Sequence, residues 1–204
     1  YAGYYNVTGQ KNTKVGFEAG FGALNQNHSN GVFIGYQAGN VCTDGDKNTI
    51  VGSQAALDLT GGGANTVIGN LAGANMTQAG QNVIIGYQAA YGNDSTAFTG
   101  DYNVIIGHDA GKVVEGNASN HNTIVGFEAG KAMTSGAENA LFGSKCGDSI
   151  TTGNNCTMIG YNNDVDNSAR SDIVIIGKDI TSAGNSHARI GNGTNFTELN
   201  FGAS

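Results

Sequence analysis

An apolar residue followed by a glycine recurs along this chain in a fixed frame. The glycines of the pattern are Gly16, Gly35, Gly52, Gly69, Gly86, Gly107, Gly126, Gly143, Gly160, Gly177 and Gly191. Seventeen residues separate most neighbouring glycines, and longer intervals of 19 or 21 residues occur at three places. A fixed period of this length indicates a repeat protein, and we interpret the extra residues as loop insertions.

Each repeat is too short to hold two helices, and β-branched residues precede its glycine. One short strand, a glycine turn and a return path are therefore expected in each unit. The 34 glycines and the absence of proline in the 204 residues fit a tightly wound strand path. The sequence predicts an all-β fold, a β-solenoid, β-roll or triple β-helix with about 11 coils of about 17 residues. We expect residues 1–192 to form a repetitive shaft or head domain and residues 193–204 a non-repetitive C-terminal segment.

Two positions in the repeat form columns with a predicted structural role. The residue directly before the glycine is apolar in every unit, so we expect it to face the interior. This column is Val15, Ile34, Val51, Ile68, Ile85, Ile106, Val125, Phe142, Ile159, Ile176 and Ile190. Asparagine recurs three residues earlier and predicts a hydrogen-bonded ladder of side-chain amides. Its members are Asn12, Asn48, Asn65, Asn82, Asn103, Asn122 and Asn139.

The position two before the glycine is also apolar, except for Lys14 and Arg189 near the two ends. By the period of two along a strand, it points opposite to the residue directly before the glycine. A narrow solenoid would leave this column exposed as a long aliphatic stripe, which soluble monomers seldom tolerate. The pattern therefore predicts self-association, as a homotrimer.

The position after the glycine carries a ring in six of the eleven units. These rings are Phe17, Tyr36, Tyr87, His108, Phe127 and Tyr161. At that spacing they would pack a subunit seam or stack on sugars, and the alternation with serine and asparagine favours packing.

Charge and cysteine content exclude several functions. The net charge of −7, with only nine lysines and arginines, speaks against a nucleic-acid partner. The longest apolar run, residues 173–176, is far shorter than a membrane span, so no membrane insertion is expected. The three cysteines, Cys42, Cys146 and Cys156, are odd in number and predict free thiols in a reducing compartment.

The longest insertion, between Gly86 and Gly107, mixes rings with short polar groups. Loops on a rigid scaffold commonly carry recognition, so we predict receptor contacts here. The candidates are Tyr91, Asn93, Asp94, Phe98, Asp101 and Tyr102. No cofactor and no catalytic residue is expected. Asp164 and Asp166 are the only weak candidates for an ion site. Paired carboxylates, such as Asp44 with Asp46, keep a polysaccharide-degrading enzyme open as an alternative.

The unit N-x-V-I-G-x-x-A, seen as NTVIGNLAG and NVIIGYQAA, covers roughly residues 10 to 192. It resembles the short repeats in the heads of trimeric autotransporter adhesins and the repeats of bacteriophage tail fibres. The repeat is longer than usual for the adhesins, and their alanine-serine alternation is only partly present, which favours the phage version. The resemblance implies a homotrimer in a virion tail fibre, assembled in the host cytoplasm, which recognises a bacterial surface glycan or outer-membrane receptor.

The end of the chain adds a second resemblance. Several tail fibres and tailspikes carry a C-terminal intramolecular chaperone that trimerises the fibre and is then cut off after a serine. This chain ends at Ser204, which fits such a processed end or an arbitrary boundary equally well. The function expected from the sequence is therefore a non-enzymatic, structural and receptor-binding part of a phage tail fibre. The alternatives are a trimeric adhesin head and a polysaccharide-degrading tailspike.

Overall fold

A computed structural model describes residues 1–22, 27–92, 96–115, 119–182 and 184–200 of the chain. In these residues one short strand recurs in every repeat. The strands are β1 (Thr13–Val15), β2 (Val32–Ile34), β3 (Thr49–Val51), β4 (Thr66–Ile68), β5 (Val83–Ile85), β6 (Val104–Ile106), β7 (Thr123–Val125), β8 (Ala140–Phe142), β9 (Thr157–Tyr161), β10 (Asp164–Val165), β11 (Ile173–Lys178), β12 (Thr181–Ser182), β13 (His187–Asn192) and β14 (Asn195–Asn200).

The strands of successive repeats stack in sequence order. β1 to β9, β11 and β13 pair in parallel within one 12-stranded sheet, and β14 adds to β13 in the antiparallel direction. β10 and β12 form a small second parallel ladder. The predicted β-solenoid of about 17 residues per turn is confirmed, and its coils pair within a single chain.

The faces of the main sheet are the reverse of those expected. The column two before the glycine lies in the interior, where Phe33, Ile50 and Ile105 are fully buried. The column directly before the glycine points outward, with Ile34 37% and Ile159 43% exposed. The prediction that the column directly before the glycine is interior was therefore wrong. The buried asparagine four before the glycine is an even number of residues from the buried aliphatic, so both must share one face of the strand.

The predicted asparagine ladder is confirmed from Asn48 to Asn139, whereas Asn12 is separated from it by Gly31, whose N–H donates to Asn12 Oδ1. Asn65 Nδ2 donates to Asn48 Oδ1 at 3.0 Å, and Asn103 Nδ2 donates to Asn82 Oδ1 at 3.1 Å. Each amide also donates to a carbonyl oxygen of the neighbouring coil, as Asn103 does to Ser119 at 2.7 Å. Because the column is buried, these bonds satisfy polar groups that have no access to water.

Small and flexible side chains complete the interior. The alanine three residues after the repeat glycine is fully buried in successive coils, and Cys146 takes this place in one of them. Met76 and Phe98 are also fully buried and pair across neighbouring coils. No helix long and apolar enough to cross a membrane occurs in the described part of the chain.

The two charged members of the interior column lie at its ends. Lys14 lies over the Phe33 ring at 5.5 Å, and its Nζ donates to the carbonyl oxygen of Gly20 at 3.0 Å. Arg189 lies 4.5 Å from the Phe196 ring and 3.0 Å from a carboxylate oxygen of Glu198 on β14. A cation therefore closes each end of the apolar column where no further aliphatic follows.

A histidine is buried next to the Lys14 end. His28 has no solvent exposure, and neither ring nitrogen has a hydrogen-bond partner among the described residues. Its ring packs edge-on against Phe33, with 5.0 Å between the ring centroids. Burial, and then the charge of Lys14, lower the pKa of His28 to about 4. Burial also lowers the pKa of Lys14 to about 8.

Candidate functional site

One corner of the solenoid is held by side chains that bond to the coil before them. We call the position six before the repeat glycine the cap column. Its members are Gln10, Ser29, Asp46, Gly63, Gly80, Asp101, Asn120, Ala137, Asn154, Ser171 and Asn185. Where the residue has a side-chain oxygen, that oxygen accepts the backbone N–H of the cap residue one coil earlier. Ser29 Oγ accepts from Gln10 N at 3.0 Å, and Asn154 Oδ1 accepts from Ala137 N at 2.8 Å.

Two consecutive glycines interrupt the cap column. Gly63 cannot cap the N–H of Asp46, and Gly80 cannot cap the N–H of Gly63. Neither of these two N–H groups has a hydrogen-bond acceptor in the part of the chain that the structure describes. Column members on both sides are capped, because Ser29 N donates to Asp46 Oδ1 and Gly80 N donates to Asp101 Oδ1, each at 2.6 Å.

A surface groove of about 380 Å³ lies over this interruption. Its lining residues are Asp46, Lys47, Gly63, Ala64, Gly80, Gln81 and Asp101. Missing side chains at two stacked positions create the groove. A carboxylate from the same column lies at each end. The volume is within the range of small-molecule sites.

The residues beside the cap column project outward because of their backbone conformation. Lys47, Ala64, Gln81 and Tyr102 each follow a cap residue, and their φ angles lie between 60° and 62°. This left-handed conformation turns the chain through the corner in every coil. The groove therefore has a wall of side chains in a fixed order, with Tyr102 next after Gln81.

The structure places some of the predicted receptor contacts at the groove and others elsewhere. Asp101 lines the groove, and the half-exposed Tyr102 borders it, since Tyr102 N donates to the Gly80 carbonyl at 3.3 Å. Phe98 is fully buried in the core, so its prediction as a receptor contact was wrong. Tyr91 is only partly exposed and does not line the groove. Asn93 and Asp94 lie outside the described residues.

The groove as a whole was missed in the sequence. Asp101 and Tyr102 lie in the longest insertion and were predicted for that reason. Lys47, Gly63 and Gln81 lie in ordinary repeats, which the prediction did not single out. The signal was present in the cap column, where Gly63 and Gly80 replace the oxygen-bearing residues of most other coils. This signal can be recognised only when the column is known to hold backbone caps.

A different face of the solenoid carries apolar side chains. We call the eleven outward residues of the column from Val15 to Ile190 the outer stripe. Beside it runs the row of rings after the repeat glycines. Tyr87 and His108 stack at 5.0 Å, and His108 and Phe127 follow at 5.4 Å between ring centroids. Most of these rings are about half exposed, as Tyr36 is at 49%.

The acidic residues near the C-terminal coils do not assemble into a metal site. Asp166 forms an ion pair with Arg170 at 2.8 Å, and Asp164 Oδ1 accepts from Ser149 N at 3.3 Å. Burial, and then the charge of Asp164, raise the pKa of Asp148. No group of three or more potential metal ligands occurs among the described residues.

The cysteines are structural. Cys42, Cys146 and Cys156 are buried and unpaired, as the sequence predicted. Burial raises the pKa of Cys42 and of Cys156 to about 11, so their thiols stay protonated at neutral pH.

No protein-family model matches the chain, and neither a curated protein nor a solved structure matches it significantly.

Proposed function

We propose that this chain is the non-enzymatic structural and receptor-binding part of a bacteriophage tail fibre, working as a homotrimer in the virion. The observation that carries the proposal is the outer stripe. Eleven aliphatic or aromatic side chains lie in one row on the outer face of the main sheet. A row of this kind is typical of a surface that another protein covers.

The outer stripe supports parallel association of identical chains. Neighbouring coils stack about 4.8 Å apart, so the stripe repeats at the same interval along the whole sheet. A second chain aligned in parallel would place its stripe in register with the first, and each coil would add the same small contact. Three chains around a common axis bury all three stripes and leave the other walls of each solenoid exposed.

Recognition by such a trimer would use the walls that stay exposed. The groove between Asp46 and Asp101 lies at a corner formed by the cap column. In each repeat, the cap column and the outer stripe are different positions of the sequence. We place contact with a bacterial surface glycan or outer-membrane receptor there. Three copies on one rigid shaft bind a repetitive surface with avidity, which offsets weak contacts at each copy.

A trimeric adhesin head is the second candidate, because the same stripe and the same repeat support it. A polysaccharide-degrading tailspike receives less support from the groove. Asp46 and Asp101 lie three coils apart, about 14 Å at 4.8 Å per coil. Paired catalytic carboxylates of glycosidases are separated by at most about 9.5 Å.

The native mass of the chain in solution is the first test. A trimer of the 20.7 kDa chain has a mass of about 62 kDa by light scattering or native mass spectrometry. The fluorescently labelled trimer should then bind whole bacteria of a susceptible strain and compete with the phage for adsorption. A stable monomer of 20.7 kDa would overturn the assembly, and with it the fibre and the adhesin. A trimer that binds no bacterial surface would overturn receptor binding alone.

A further inference from the structure

We propose that the groove over Gly63 and Gly80 binds one neutral sugar residue through two of its hydroxyl groups. The proposal deepens the receptor-binding function and rests on it for the source of the sugar, a bacterial surface glycan. The binding chemistry itself follows from the atoms of the groove.

The first hydroxyl position lies just outside the place where a side chain at residue 80 would begin, because a ligand oxygen has to stay at van der Waals distance from the Gly80 Cα. A Cβ built on Gly80 would lie 3.2 Å from the Gly63 carbonyl oxygen, 3.5 Å from Gly63 N and 3.6 Å from Asp101 Oδ1. One donor and two acceptors therefore surround the same small volume. A hydroxyl group both donates and accepts hydrogen bonds. It can therefore accept one from the Gly63 N–H and donate one to either oxygen.

The second position lies one coil earlier. A Cβ built on Gly63 would lie 3.4 Å from Asp46 N and 2.6 Å from the Asp46 carbonyl oxygen. The Asp46 N–H is again a donor without a protein acceptor among the described residues. The two positions are about 4.8 Å apart, since they belong to adjacent coils. Two hydroxyls on one six-membered ring can bridge this distance.

Charge selects a neutral ligand over an anion. Asp46 and Asp101 carry carboxylates at the two ends of the groove, and Lys47 is the only cation among the described residues that line it. A carboxylate or phosphate would also meet the Gly63 carbonyl and Asp101 Oδ1 at the first position, where it has no proton to give. Repulsion between such acceptors disfavours an acidic ligand.

A metal ion does not fit the same groups. The two carboxylates are about 14 Å apart, so they cannot ligate one cation together. Neutral polyols remain, and Tyr102 favours the ring of a sugar over an open chain. Its side chain is 52% exposed, and its backbone N–H donates to the Gly80 carbonyl at the groove margin. One face of the ring stacks on His121 at 5.1 Å, which leaves the opposite face for a sugar ring.

Gly80→Ser is the sharpest test, because the chain itself shows that serine fits the position. Ser29 and Ser171 occupy the same column and cap the preceding coil at 3.0 Å. A serine at position 80 should cap Gly63 N in the same way and fill the first hydroxyl position. Ala137→Ser is the matched control, since it adds the same hydroxyl to the same column outside the groove.

The assay is saturation-transfer NMR on the full chain. The probes are methyl β-D-galactopyranoside, methyl α-D-mannopyranoside and methyl β-D-glucopyranoside, with methyl β-D-glucuronide as the acidic comparison. At least one neutral glycoside should bind in the millimolar range to the wild type and to Ala137→Ser, and more tightly than the glucuronide. Gly80→Ser should weaken binding at least about tenfold, which is ~1.4 kcal/mol. Unchanged thermal unfolding of Gly80→Ser excludes loss of the fold.

The outcomes separate this inference from the proposed function. If no neutral glycoside binds, or if Gly80→Ser binds as well as the wild type, the groove is not a sugar site. The fibre then stands if the trimer still adsorbs to bacteria. If Gly80→Ser loses sugar binding while the wild type neither assembles nor adsorbs, the sugar site stands and the proposed function falls.

Discussion

Gly86 lies directly against the carbonyl oxygen of Gly107 in the next coil, so closely that a Cβ on Gly86 would lie 2.4 Å from that oxygen. The φ angle of Gly86 is 137°, which L-residues with a side chain rarely adopt. The same contact recurs at the repeat glycines of neighbouring coils. Close backbone stacking, together with this φ, explains why glycine occupies the position.

Gly86→Ala should destabilise the fold by about 3 kcal/mol, because it adds a backbone clash to a strained φ. Chemical unfolding in urea measures the change. Gly61→Ala is the control, since a Cβ there would meet nothing closer than 3.9 Å and its φ is not in the left-handed region. Similar unfolding midpoints for the two variants would contradict the stacking explanation.

Asn103→Ala should cost about 2 kcal/mol, because it leaves buried partners on both sides without a hydrogen bond. The lost bonds include those to Asn82 Oδ1 and to the Ser119 carbonyl. The backbone and side-chain N–H groups of Asn122 also lose Asn103 Oδ1 as an acceptor. Asn70→Ala removes one exposed hydrogen bond to Ser53 and should change the free energy of unfolding little. Equal effects of the two substitutions in urea unfolding would show that the ladder does not stabilise the interior.

His28 should make the fold less stable in mild acid. Its pKa is about 4 in the folded chain, against about 6.5 when unfolded. Above pH 6.5 the ring is neutral in both states. As the pH falls from about 6.5 towards 4, only the unfolded chain takes up the proton, so stability is progressively lost.

His28→Phe keeps a ring against Phe33 and removes this titration. Thermal unfolding of both proteins at pH 7 and pH 5 measures the difference. The melting temperature of the wild type should fall more between the two pH values than that of the variant. Parallel shifts would mean that groups other than His28 govern the acid response.

Ile106→Lys should convert the proposed trimer to a folded monomer, because it places a charge in the outer stripe without touching the interior. Ile105→Lys, one residue earlier, should instead prevent folding, since Ile105 is fully buried. Gln78→Lys, on an exposed polar position away from the stripe, is the control that should leave the mass unchanged. Light scattering and circular dichroism separate the three outcomes. A trimeric Ile106→Lys would show that the stripe does not mediate assembly.

The sequence predicted the repeat, the asparagine ladder and the free thiols because each follows from spacing or residue type alone. It predicted the wrong apolar column as the interior one. Both columns around a strand such as β5 are aliphatic, so hydrophobicity does not distinguish Ile84 from Ile85. The asparagine column carried the missing information, since Asn82 and Ile84 are two residues apart and must share a face.

The candidate site was harder to predict, for a related reason. Asp101 and Tyr102 were predicted as receptor contacts because they lie in the longest insertion. The groove depends on what Gly63 and Gly80 lack, and a missing side chain has meaning only beside its capped neighbours. The sequence prediction placed Phe98 on the surface, because the inserted residues obscure its pairing with Met76 in the preceding coil.

The reversal of direction at β14 makes the two ends of the solenoid unequal. β14 raises one wall of the last coil by a single strand layer, about 4.8 Å, while the described residues of the other walls gain none. A coil of another molecule therefore meets a stepped surface at this end of the sheet instead of a flat one. Parallel β-stacks of uniform cross-section are prone to endless head-to-tail growth. The step at β14 obstructs such growth on this wall, because a coil added there would have to pair with an antiparallel strand instead of continuing the parallel ladder.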